Sequence, residues 1–73
     1  MTIDEKLNLI AETLDADRKN INSLTVLKTL DEWDSMGTIS IISMLDRKFG
    51  KVLTADEIAE LKTVQDILDM MCA

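Results

Sequence analysis

Three times along this chain a threonine stands three positions before an acidic residue, with apolar residues following at helical spacing. In Thr2 with Glu5, Thr54 with Glu57 and Thr63 with Asp66, each side chain can satisfy the other's free backbone N–H, the reciprocal arrangement that opens a helix. Ile3, Leu7, Ile10 and Leu14 then make one stripe, Ile58 and Leu61 a shorter one, and Val64, Ile67, Leu68 and Met71 a last one. A further helix is predicted from Ser35 to Phe49, proline-free, with Ile39, Ile42, Leu45 and Phe49 at helical spacing and Gly50 as its stop. The expected fold is all-α, a small four-helix bundle with a short third helix.

Between Asp15 and Asp34 the chain has neither a helical period nor the alternation of a strand. Loops of that length in compact domains are uncommon and usually functional. Ile21, Leu24, Val26, Leu27 and Leu30 are expected to pin this one across the bundle as an ordered segment. With 73 residues there is room for a single small domain, 1–73, whose core is marginal unless its helices pack efficiently.

Composition narrows the chemistry. Without histidine, a Ser-His-Asp or Cys-His arrangement is impossible and no cluster of His and Cys could hold zinc. Asp15 and Asp17 begin like a calcium loop, but Lys19, Asn20 and Val26 stand where a ligand, a glycine and a closing glutamate are needed. The lone Cys72 reads as an incidental free thiol. No stretch resembles a signal peptide and no apolar run would span a bilayer, which predicts a cytoplasmic protein, and a monomer is expected. Fourteen acidic against eight basic residues leave a net charge of −6, which disfavours nucleic acid and anionic membranes and favours partners with basic surfaces.

Asp34-Ser35-Met36 opens the central helix just after an acidic stretch and the single tryptophan, Trp33. Either Asp34 or Ser35 is simply the N-cap, or the Ser35 hydroxyl sits where free N–H groups and the helix dipole welcome a phosphate ester. With no base of its own, a functional Ser35 is expected to be modified by another enzyme. At about 100° per residue, Ile39, Ile41, Ile42, Leu45 and Phe49 fall on an inner arc. Met36 and Met44 fall outside it among Gly37, Ser40, Ser43, Arg47 and Lys48.

One helix, a long pinned loop, Asp34-Ser35-Met36 opening a second helix, a short third and Thr63-Val64-Gln65-Asp66-Ile67 opening a fourth together resemble the acyl carrier proteins. The resemblance covers nearly the whole chain. It implies a non-catalytic carrier whose Ser35 receives a covalent 4'-phosphopantetheine arm from a phosphopantetheinyl transferase, using coenzyme A. The arm's thiol would then carry an acyl group as a thioester. By the same resemblance, Asp34 helps bind the transferase's metal ion during loading, and Leu27, Leu45, Ile58 and Leu68 shelter part of the acyl chain. Acyl-transferring or acyl-activating enzymes with basic surfaces are the implied partners.

Gly37, Ser40 and Arg47 stand where carriers of fatty-acid synthesis usually have acids, and Thr54 replaces a usual proline. The surface expected to meet partners therefore combines Met36, Ile39, Ser40, Ser43 and Arg47 with acidic groups at Asp31, Glu32, Asp56, Glu57 and Glu60. This pattern resembles a specialised carrier serving a lipid or fatty-acid-related pathway. Asp34-Ser35-Met36-Gly37-Thr38 also looks like the motif of D-alanyl carrier proteins, the second choice; peptidyl carriers, which have a Gly-rich lead-in, rank third. An unmodified helical interaction module, with Ser35 only a cap and Trp33 plugging one end of the core, is the alternative from another class.

Overall fold

Each helix begins where its local signal lies. The computed structural model describes residues 1–71, so the thiol expected at Cys72 lies outside the described residues. Helix α1 spans Ile3–Leu14, α2 Ser35–Phe49, α3 Ala55–Glu60 and α4 Val64–Met70. Thr2 and Glu5 close the capping box of α1, with Thr2 N donating to Glu5 Oε1 at 2.9 Å and Glu5 N to Thr2 Oγ1 at 3.2 Å. Thr54 and Glu57 do the same for α3. Gly50 ends α2 with φ of 64°, a left-handed conformation that costs glycine nothing, while Gly50 N donates to Asp46 O.

The fold is all-α with four helices, and α1 packs on α2. The core draws Leu7, Ile10 and Leu14 from α1, Ile41, Met44 and Leu45 from α2, Ile58 from α3 and Val64, Ile67 and Leu68 from α4. A Cα radius of gyration of 10.8 Å matches the roughly 11 Å expected of a folded chain of this length. The small core is therefore closed rather than splayed.

The segment between α1 and α2 is ordered, with 3₁₀ turns at Arg18–Asn20 and Leu27–Thr29. Ile21 and Leu27 are buried and Leu30 packs against the core. Leu24, however, is 84 % exposed and Val26 is exposed too, so neither pins the loop as its hydrophobicity suggested. Main-chain bonds replace them. Leu27 N donates to Lys62 O at 2.8 Å, Val64 N to Thr25 O at 2.9 Å and Gln65 N to Ser23 O at 3.0 Å. The loop's carbonyls thus satisfy the N–H groups that a helix start leaves unpaired. At the other end, Arg18 ties the loop to α1 through Nε to Asn8 Oδ1 at 2.8 Å and braces the loop itself through NH1 to Ile21 O at 2.7 Å.

On α2 the buried face differs from the one apolarity predicts. Ile41, Met44 and Leu45 point inward with Gly37, whereas Ile39 is 62 % exposed. Ile39 and Ile41 lie about 160° apart on the helix, so both cannot face the core, and packing on α1 selects Ile41. Met44, expected outside, is 4 % exposed, and only Met36 of that pair faces outward. Ile3, placed on the α1 stripe by spacing, is exposed in the first turn.

The Asp66 carboxylate accepts from Lys62 N at 2.8 Å and Thr63 N at 3.1 Å, and these bonds hold its pKa below the usual carboxylate range. Its contribution to stability is full above the unfolded pKa of about 3.9 and is lost as pH falls through the lower folded value. Asp66→Asn should lower the melting temperature at neutral pH and flatten its decline between about pH 5 and pH 2. An unchanged acid limb in thermal melts would show that this carboxylate does not hold the turn between α3 and α4.

Candidate functional site

Asp34, not Ser35, is the N-cap of α2. Its extended backbone aims Oδ1 at Gly37 N, 2.8 Å away, and its carbonyl accepts from Thr38 N at 2.9 Å. Ser35 is the first helical residue and exposed. Its carbonyl accepts from Thr38 Oγ1 at 3.0 Å, but among the described residues no protein group bonds its hydroxyl. A primary alcohol is therefore left free at the positive end of a 15-residue helix.

Gly37 sets the approach of the preceding segment. A Cβ there would collide with the Glu32 carbonyl and press on the Leu14 side chain at 3.1 Å. The sequence places Gly37 on the outer face as a missing acid; in the structure it is buried and is the point where the chain before α2 lies against the helix. This contact was missed because glycine has no hydropathy to mark a packed face. It also rotates the buried arc away from Ile39.

Around Ser35 the side chains segregate. Asp31 and Asp34 are exposed and Glu32 half-buried, and with Asp15 they border a depression of about 360 Å³ reaching Met36. Met36, Ile39, Ser43 and Arg47 are exposed along the outer side of α2, with Ser40 half-buried at its edge. Asp56, Glu57 and Glu60 are exposed on α3, although the Glu57 carboxylate is engaged in the capping box. Leu27, Leu45, Ile58 and Leu68 are brought together within one core. Trp33 is half-buried against that core and walls a separate groove with Val26, Ala59 and Leu61, which spacing alone did not mark.

A family model described as phosphopantetheine attachment site matches residues 7–71. The chain belongs to this family of carriers, which bear a covalent 4'-phosphopantetheine group and meet phosphopantetheinyl transferases and acyl-handling enzymes. No curated protein and no solved structure matches the chain at a significant level. Among the described residues no helix is long and apolar enough to cross a membrane.

Gly37→Ala tests the close approach. Removing a helix-interior glycine gains roughly 1 kcal/mol, but overpacking costs typically about 1 to 3 kcal/mol, and the obstacle here is backbone. The expected result is a lower urea midpoint. A higher midpoint would show that the Glu32 carbonyl yields freely.

Proposed function

We propose that the chain is an acyl carrier acting as one domain in the cytoplasm, with its phosphopantetheine arm on Ser35. The observation that carries this is the division of labour at the start of α2: Asp34 supplies the cap, so the Ser35 hydroxyl is spent on nothing else. The residues fit the group, since the acceptor oxygen is exposed and unbonded at a helix start that favours a phosphodiester. Loading forms a bond from Ser35 Oγ to phosphorus and breaks the pyrophosphate link of coenzyme A, releasing adenosine bisphosphate. The hydroxyl proton passes to a base of the transferase, since no group of this chain bonds the Ser35 hydroxyl among the described residues. Asp34 and its acidic neighbours offer carboxylates to the transferase's metal ion from the adjoining depression.

Ser35→Ala should remain unmodified by a broad-specificity transferase and coenzyme A, while the wild-type chain gains one arm by intact mass. Because Ser35 makes no cap bond, its loss should change stability by no more than about 0.5 kcal/mol. Asp34→Ala should cost about 1 kcal/mol, a fall of roughly 4 to 8 °C in a domain of this size. A wild-type chain that stays unmodified beside an active transferase sinks the proposal.

The docking surface we infer joins the acids around Ser35 to Asp56 and Glu60 of α3, with Glu57 held by its cap. Met36 and Ile39 supply apolar contacts between them, and Ser40, Ser43 and Arg47 form the rim. Lysine at Asp31, Glu32, Asp56 or Glu60 should slow association with acyl-handling partners, most at low salt, and Arg47→Glu should do little. The reverse pattern in stopped-flow association rates would place docking elsewhere. Leu27, Leu45, Ile58 and Leu68 would line the path of a long acyl chain, but each is already packed, so such a chain has to part the helices.

A further inference from the structure

A groove of about 470 Å³ lies at Trp33, two residues before Ser35. Val26, Trp33, Ala59, Leu61 and Thr63 line it together with Lys28 and Lys62, both of them exposed. No carboxylate lines it, although acids outnumber bases fourteen to eight in the chain. Among the described residues neither lysine forms a salt bridge. The Asp66 carboxylate feels the Lys62 charge but is held by two backbone N–H groups. The groove is thus a largely apolar slot edged by two exposed lysines, of which Lys62 also borders a neighbouring depression lined by Glu57, Glu60, Asp66 and Asp69.

Its position follows from the chain. Trp33 is two residues before Ser35, so their Cα atoms are at most about 7 Å apart. An arm on Ser35 therefore starts close to one of the residues that line this slot. From this, and resting on the carrier reading above, we infer that the groove seats the cargo end of the arm and selects a short acyl group ending in a carboxylate. The methylenes lie against Trp33, Val26 and Leu61, and the terminal anion meets Lys28 and Lys62. A neutral acyl group keeps only the apolar contacts. An aminoacyl group brings an ammonium toward two ammoniums, so the groove disfavours the D-alanyl alternative.

The single tryptophan makes the groove its own reporter. Coenzyme A analogues bearing four-carbon succinyl, butyryl or 4-aminobutyryl groups, each joined by an amide so that the cargo stays attached, are transferred to Ser35 and verified by intact mass. The succinyl arm should give the highest melting temperature and the largest blue shift of Trp33 emission, and the 4-aminobutyryl arm the smallest of both. In the Lys28→Gln/Lys62→Gln variant, whose two changes are at exposed positions, the gap between succinyl and butyryl should fall by more than half. Added salt should narrow it in the wild type. Equal melting temperatures and emission for the three arms overturn the inference, as does a gap that survives in the double variant. A chain that gains no mass overturns the carrier reading itself.

Discussion

The main-chain bonds between the long loop and the start of α4 carry the rest of the structure. Helix α4 has seven residues, far below the length at which a helix persists alone in water. It forms because Thr25 and Ser23 present carbonyls to its first N–H groups while Val64, Ile67 and Leu68 are buried. The same bonds fix the loop, which lacks a hydrophobic stripe of its own. They also set Val26 opposite Thr63 in an isolated bridge, bringing the loop beside the turn between α3 and α4 where Lys62 stands. The apolar groove beside Trp33 is a product of this junction.

From the junction the chain runs to α2 with little freedom. Trp33 N donates to Leu30 O, the Glu32 carbonyl lies over Gly37, and Asp34 caps the helix. Three consecutive constraints of different kinds therefore orient Ser35. Acidic side chains border one depression beside it, while a separate groove at Trp33 carries two lysines, so the two surfaces differ in charge.

What could be read from sequence was what short-range chemistry decides. The capping pairs at Thr2 and Thr54 and the stop at Gly50 involve residues within one turn, and the structure has each where spacing puts it. Helix α2 likewise runs from Ser35 to Phe49. The side of α2 that is buried was not legible, because it depends on Leu14 and on the Glu32 carbonyl meeting Gly37. Leu24 and Val26 misled for a related reason: their loop is held by amide groups, and every residue type carries those. At the site, the acidic serine motif was visible. The pairing of Lys28 with Lys62, 34 positions apart, needed the fold.

The adjacency of Asp34 and Ser35 has a consequence for the working cycle of such a chain. A folding equilibrium shifts with any group that binds or alters the native state alone. Had the cap been the serine, esterifying it would have altered the very oxygen that holds the helix start. With the cap on its neighbour, the hydroxyl can be substituted and restored while the helix start stays as it was. The bond that starts the helix and the hydroxyl that stays open to chemistry thus belong to different residues, and a change at the second leaves the first in place.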